Sequence, residues 1–409
     1  MSEWIKAEEY CISVFDGTHD TPKATETGYK LVTSKNILSN TLDLNSAYFI
    51  SEEDFVNINK RSKVKQYDIL FSMIGTVGSL YFETSDSIDY AIKNIGVFSC
   101  GDKEKAEWLY YYLQSSYAQQ YIKRYLNGAV QKFLPLKGLR EFPVPQFNKE
   151  LHNRIKILLN IDQKIQTNNQ INQELEAMAK TLYDYWFVQF DFPDQNGKPY
   201  KSSGGKMVYH PELKREIPEG WGVDSLWNIA NFYNGLAMQK YRPDTTEDDY
   251  LPVIKIREMM NGFSKDTEKA RLDIPSEAVV ERGDILFSWS ATLEVIIWGK
   301  EKGALNQHIF KVTSDTYPES FIYFELKSYL KVFKAIAELR KTTMGHITQD
   351  HLKQAKIVVP PIEIISKLDA KLQPIMLKQQ ILENQNQELT QLRDWLLPML
   401  MNGQVKVEC

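Results

Sequence analysis

The sequence predicts an α+β protein: two mixed α/β heads separated by a long antiparallel two-helix coiled-coil-like spacer, arranged as an internal pseudo-two-fold repeat. Three observations carry this. The pentapeptide DILFS is spelled twice, at Asp68–Ser72 and at Asp284–Ser288. Its neighbours recur in the same order after each copy. Each copy then runs into a long heptad-like pattern of apolar residues.

The order of neighbours establishes the repeat. After the first copy come Asn94-Ile95, the aromatic stretch WLYYYLQSSYAQQYIKRYL, Gly128, FPVPQ and NQEL at 172–175. After the second come NQHIF at 306–310, FIYFELKSYLKVFKAIAEL, Gly345, VVPPI and NQEL at 386–389. The offsets stay between 212 and 217 residues. One supersecondary unit has been written twice.

Residues 1–147 form the first predicted head. Short apolar runs such as DILFSMI, bounded by Gly, Ser and Asp, read as buried strands, and Trp108–Leu126 reads as a helix. Residues 148–189 are the first spacer helix, on the recurrence of Leu151, Ile155, Leu158, Ile161, Ile165, Asn168, Ile171, Leu175, Met178, Leu182 and Tyr185. About 38 residues at a rise of 1.5 Å give a helix of roughly 55 Å. Residues 190–217, rich in Gly, Pro, Ser and Lys, read as a flexible connector. The second head follows over 218–361, from IPEGW onward, with DILFSWS and EVIIW as strands and a helix near Phe321–Leu339. Residues 362–403 are the second spacer helix, with its seam at Ile365, Leu368, Leu372, Ile375, Gln379, Leu382, Asn386, Leu389 and Leu396 and a kink or restart expected at Pro374. Each helix needs a partner to cover its stripe, and the other copy is the nearest.

With 409 residues, 43% hydrophobic and 25% charged, the chain is long enough for more than one globular core. Cys11, Cys100 and Cys409, odd in number and far apart, suggest neither a disulfide framework nor a zinc site. The first residues, MSEWIKAEEY, carry charges where a signal peptide needs an apolar core, and no run of eighteen apolar residues occurs, so a soluble, cytoplasmic protein is expected. A net charge of −4 gives no global sign of nucleic-acid binding, so any such function rests on local patches.

No catalytic or metal site is expected. Pro193-Asp194 with Glu212 and Lys214 fits the letters of a metal-dependent nuclease, but that chemistry needs its groups converging from rigid elements and these lie in the connector. Val359-Pro360-Pro361-Ile362 has the Pro-Pro turn of amino-group methyltransferases without the polar and aromatic ends that bind and stack the base, so it reads as a turn opening a helix. Gly204-Gly205-Lys206 lacks the spacing of a phosphate loop, and His346 and His351 lack a metal-binding helix around them.

Basic residues do cluster locally. Lys60, Arg61, Lys63 and Lys65 precede the first DILFS. Lys123 and Arg124 precede Gly128, and Arg340 and Lys341 precede Gly345 at the equivalent place. With Lys255 and Arg257, these are candidate DNA contacts, a solvated face being the bland alternative for each. Asn94, Gln307 and His308 have the amide and imidazole groups that read base edges, and equally the groups that cap turns. Tyr185, Trp186, Trp395, Leu396 and Met399 suggest an apolar partner-binding face, although an intramolecular seam would use the same residues.

Taken in order, DILFS, ALNQHIF at 304–310, Gly345 ahead of KIVVPPI, the seam ending in NQELTQLRDWLLPMLMNG, the connector WFVQFDFPDQNGKPYKSSGGKMV and the segment IPEGW resemble the specificity subunit of Type I restriction-modification systems over essentially the whole chain. The first copy departs from the pattern in having NIGVF for NQHIF and FPVPQF for the double proline. The resemblance implies two target-recognition domains on an antiparallel helical spacer, with no catalytic residues or cofactor of its own. It implies double-stranded DNA as ligand, and as partners two methyltransferase subunits, which use S-adenosylmethionine, and restriction subunits. Heads roughly 50 Å apart would dock about one and a half DNA turns apart, on two different half-sites split by unread bases. The rival reading is a bivalent coiled-coil adaptor that touches no nucleic acid, which leaves the matched basic clusters unexplained. A nuclease built on the connector carboxylates is a further rival.

Overall fold

Each letter of the repeated pentapeptide has a structural job. In the computed structural model, which describes residues 4–38, 40–127, 133–245, 249–339 and 346–405, Asp68 accepts from the Lys65 amide at 2.8 Å and Asp284 from the Glu281 amide at 2.7 Å. The aspartate thus closes the turn that feeds the strand. The next four residues form the strands Ile69–Ser72 and Ile285–Ser288, buried at every position. Burial on both faces explains an unbroken apolar run where a one-sided strand would alternate. The terminal serines turn back on their own loops, Ser72 Oγ donating to Ile74 O at 3.0 Å and Ser288 Oγ to Thr292 O at 2.6 Å.

The chain divides into two compact units, Met1–Lys164 with Leu389–Cys409, and Ile165–Glu388. In the first, Ile69–Ser72 lies inside a four-stranded antiparallel sheet in the order Ser13–Asp16, Ile95–Ser99, Ile69–Ser72, Leu80–Phe82. A second sheet pairs Tyr29–Thr33 antiparallel with Tyr48–Ile50 and parallel with Tyr90–Lys93. A two-stranded ribbon joins Trp4–Lys6 to Pro143–Pro145.

The second unit repeats this plan. Its four-stranded sheet runs Asn231–Asn234, Ile309–Thr313, Ile285–Ser288, Glu294–Ile297. Leu251–Ile254 pairs antiparallel with Lys269–Ala270 and parallel with Gly303–Leu305, and Gly222–Ser225 pairs with Lys356–Val359. The helix Glu319–Leu339 packs Phe333 against Phe287 of the repeated strand, ring centroids 6.0 Å apart. Its counterpart in the first unit is two helices, Lys103–Gln114 and Ser116–Asn127, broken where Ser115 turns extended.

Two long helices follow the heads, Lys149–Tyr183 and Ile362–Met401. Within the second unit they pair antiparallel: Asn168 Nδ2 donates to Asn386 Oδ1 at 2.9 Å, and Gln379 Nε2 to Asn172 O at 3.3 Å. Within the first unit Arg393 Nη1 donates to Asp162 Oδ1 at 3.0 Å. Most of the expected seam is inward, including Leu151, Ile155, Leu158, Ile161, Ile365, Leu368, Leu372, Ile375 and Leu382.

Three expectations are corrected. Met178 and Tyr185 are exposed, with Ala179 and Tyr183 buried in their place; a straight helix repeats every 3.6 residues, so a strict heptad frame drifts off the buried face by its last turns. The second helix runs through Pro374 without a break, Pro374 being exposed so that the missing amide hydrogen bond lies on the watered side. The supposed flexible connector is folded. It carries an antiparallel hairpin, Met207–His210 with Arg215–Pro218, and buries Phe190 and Phe192 against Trp221, with ring centroids 5.6 and 4.8 Å away. In it, Asp194 accepts from the Asn196 and Lys198 amides while Glu212 pairs with Lys356, so the two nuclease-like carboxylates serve separate local contacts. Among the described residues no helix is long and apolar enough to cross a membrane.

Candidate nucleic-acid interface

In the first head the polar groups gather where the outer strand Ser13–Asp16 ends. Gly17 donates its amide to Ile95 O at 2.9 Å and Thr18 to Ile92 O at 3.0 Å, drawing this segment onto the turn between Tyr90–Lys93 and Ile95–Ser99. Glycine is required there: a Cβ on residue 17 would sit 2.4 Å from Ile92 O. The turn itself is one residue, Asn94, in the left-handed region at φ 54° that asparagine tolerates. Its side-chain Oδ1 lies 2.8 Å from His19 Nδ1; the other ring nitrogen, Nε2, is 3.1 Å from Asp16 Oδ2, and Arg61 Nη2 reaches Asp16 Oδ1 at 3.4 Å. Lys93 donates to Thr21 Oγ1 beside them.

In the second head the same crossing has a longer turn, Asn306-Gln307-His308, between Gly303–Leu305 and Ile309–Thr313. Gly235 takes the place of Gly17, and a Cβ there would lie 2.3 Å from Asn306 O. A cleft of about 290 Å³ is lined by Gln239, Lys255, Ile256, Arg257, Asn306, Gln307 and His308. It brings together four candidates from the sequence: Lys255, Arg257, Gln307 and His308. Each cation has an acid of its own, however. Lys255 Nζ lies 2.5 Å from Glu268 Oε1, and that hydrogen bond holds the Glu268 carboxyl below the ordinary glutamate range. Arg257 Nη2 lies 2.6 Å from buried Glu258, whose hydrogen bond raises the guanidinium further. Beside the cleft, Trp289 Nε1 donates to Asn234 Oδ1 at 3.0 Å and its ring stands 5.6 Å from that of His308.

The remaining candidates scatter. Lys60 and Arg61 end the helix Glu52–Ser62, whose first turn carries Glu52, Glu53 and Asp54, so its charges suit the helix dipole whatever else they do. Lys63 and Lys65 are exposed on the link to the DILFS strand, and Lys123 and Arg124 on the helix Ser116–Asn127. Arg340 and Lys341 lie outside the described residues. The apolar partner face is only partly outward: Tyr185 and Trp395 are exposed and Met399 half-buried, but Trp186 and Leu396 are buried, Trp186 because the π-helical turn Asp184–Val188 directs it into the core containing Phe187 and Trp221. Sequence reasoning missed Asp16, His19, Asn234 and Trp289. A signal was present in Phe15-Asp16-Gly17 and Tyr233-Asn234-Gly235, an aromatic–Asx–Gly triplet repeated at the two crossings.

The duplicated head sets a different polar turn on a matched pair of sheets, and comparison with known proteins defines its class. A family model described as the Type I restriction modification DNA specificity domain matches residues 18–177 and again 218–391. The Type I restriction enzyme MjaIX specificity subunit of Methanocaldococcus jannaschii is 28% identical over 318 residues, covering 74% of this chain and 70% of the relative. The HindI specificity subunit of Haemophilus influenzae is 24% identical over 407 residues, 84% of this chain and 88% of the relative. The crystal structure of a Type I restriction-modification S subunit from M. genitalium superposes with a TM-score of 0.51 over 98% of this chain and 96% of that one; at 14% identity the likeness concerns the fold alone. The chain therefore belongs to the Type I restriction modification DNA specificity family, as a specificity subunit with two such domains, and DNA target recognition replaces the adaptor reading.

Proposed function

We propose that each head reads one half of a split, asymmetric DNA target and that the two long helices are the antiparallel spacer holding the heads at a fixed separation. The observation that carries this is the matched crossing: the same strands and the same close-approach glycine, Gly17 or Gly235, present different side chains, Asn94 and His19 in one head and Gln307 and His308 in the other. Matched scaffolds with unlike reading groups call for unlike half-sites. The chain contributes recognition without catalysis. Methyltransferase subunits using S-adenosylmethionine would bind the helical region and extrude the adenine in each half-site, since the base cannot be reached while stacked. Restriction subunits would join the same complex. Exposed Tyr185 and Trp395 are apolar residues that would meet such partners, as are Met178 and Leu377 on the long helices.

The test is to co-express the chain with its methyltransferase subunit and map modified adenines across a host genome. A single motif with two different halves and a fixed gap is the expected result. A stable complex that leaves no such motif would overturn the proposal.

A further inference from the structure

The two heads place one residue at the same structural position, directly before the close-approach glycine: Asp16 in the first and Asn234 in the second. Strand pairing fixes the equivalence. Asp16 lies opposite Gly96 and Asn234 opposite Phe310, each the second residue of the adjoining strand. What the two positions hold is different. Asp16 gathers the Arg61 guanidinium and the His19 imidazole, at 3.4 and 3.1 Å. Its own side chain is only 9% exposed, whereas Arg61 is 73% and His19 60% exposed, so a buried anchor steadies two solvent-facing groups. Asn234 instead accepts from the Trp289 indole, which stands beside His308.

The chemistry of the first arrangement selects a partner. A guanidinium carries five N–H donors in a planar fork, and a single Asp16 oxygen leaves most of them unused. The paired acceptors O6 and N7 on the major-groove edge of guanine match such a fork. We propose that Asp16 is a positioning residue that sets Arg61 as the guanine-reading donor of the first head, with His19 bridging Asp16 to Asn94 beside it, and that Asn234 sets Trp289 and His308 at the matched place in the second. One structural position then carries the difference in specificity between the heads. This rests on the reading of the heads as independent half-site readers.

The test maps methylation by the full chain in complex with its methyltransferase subunit, for the unaltered protein and for Asp16→Asn, Arg61→Ala and Asn234→Ala. Asp16→Asn and Arg61→Ala should each lower the preference for guanine at one position of one half-site by roughly ten- to a hundredfold, leaving the other half unchanged. Asn234→Ala should alter only the opposite half. Arg61→Ala changes a mostly exposed side chain and keeps the test open should Asp16→Asn fail to fold. An unchanged motif in Arg61→Ala, or equal loss across both halves, overturns the proposal. Absence of any split motif with the unaltered chain instead defeats the half-site reading itself, and the two failures are told apart by that control.

Discussion

The Tyr183 hydroxyl donates to Glu325 Oε1 across 2.5 Å, tying the end of the first long helix to the helix Glu319–Leu339 of the second head. Burial pushes the Glu325 carboxyl up to about 7, against the pull of the Tyr183 hydrogen bond and of Arg215. A carboxyl that holds its proton more tightly folded than unfolded favours the fold fully below the ordinary glutamate value of 4.5, and that contribution is lost as pH rises through about 7. The span corresponds to about 3 kcal/mol at most. Urea unfolding between pH 5 and pH 8 should therefore show Glu325→Gln flattening the decline seen in the unaltered chain, whereas equal slopes in the two proteins would exclude this role.

Asp162 on the first long helix accepts from two sides, from Tyr111 at 2.5 Å and from Arg393 of the second long helix at 3.0 Å. The Arg393 side chain is 19% exposed, so its loss leaves a sheltered carboxylate with one donor fewer. Arg393→Met keeps much of the packing and removes the charge. It should lower stability by about 1–3 kcal/mol, read as a shift of the denaturation midpoint. Adding Asp162→Asn should recover part of that loss, because the uncompensated charge is gone; a strictly additive pair of losses would argue against the coupling.

How far the fold was legible follows from what kind of signal each element left. Ile69–Ser72 and Ile285–Ser288 were legible because core strands buried on both faces tolerate few residue types, so the duplication survived there as letters. The long helices were legible through Leu151, Ile155, Leu368 and Leu372, whose spacing reports directly on a buried stripe. Phe190 and Phe192 were not: they bury by tertiary contact with Trp221 amid Gly, Pro and Ser, and no period marks them. The candidate site was half legible. Asn94, Gln307 and His308 stood out as polar residues beside a repeated strand, but Asp16 and Asn234 are placed there by contacts with Arg61 and Trp289, which lie 45 and 55 residues away in sequence.

Gly17 and Gly235 make paired predictions. A Cβ at either would press on backbone oxygen at 2.4 or 2.3 Å, and backbone within a sheet cannot move aside as a flexible side chain would. Gly235→Ala should displace the Asn306-Gln307-His308 turn and cost about 1–3 kcal/mol. In a methylation map it should degrade only the half-site read by the second head, while Gly17→Ala degrades only the other. Thermal unfolding run in parallel separates a displaced turn from a lost domain, since a variant that keeps one half-site and the full unfolding enthalpy of the unaltered chain has retained both heads. Intact motifs in both variants would show that the crossing does not shape the reading surface.

Lys60, Lys63 and Lys65 differ from Arg61 in a way that salt can measure. All four are exposed near the first DILFS strand, but Arg61 is the one seated on the Asp16 anchor. A lysine is a mobile point charge suited to phosphate, and each phosphate it neutralises contributes about 0.9 to the slope of log affinity against log salt concentration. Replacing the three lysines with alanine should therefore reduce that slope, measured by fluorescence anisotropy on the assembled complex, by up to about 3 while leaving the motif unchanged. Arg61→Ala should do the reverse, altering base preference more than the slope. Were the triple variant to keep its full salt dependence, the lysines would be a solvated face, and the electrostatic footprint of the first head would have to be sought elsewhere, first at Lys123 and Arg124 on the helix Ser116–Asn127.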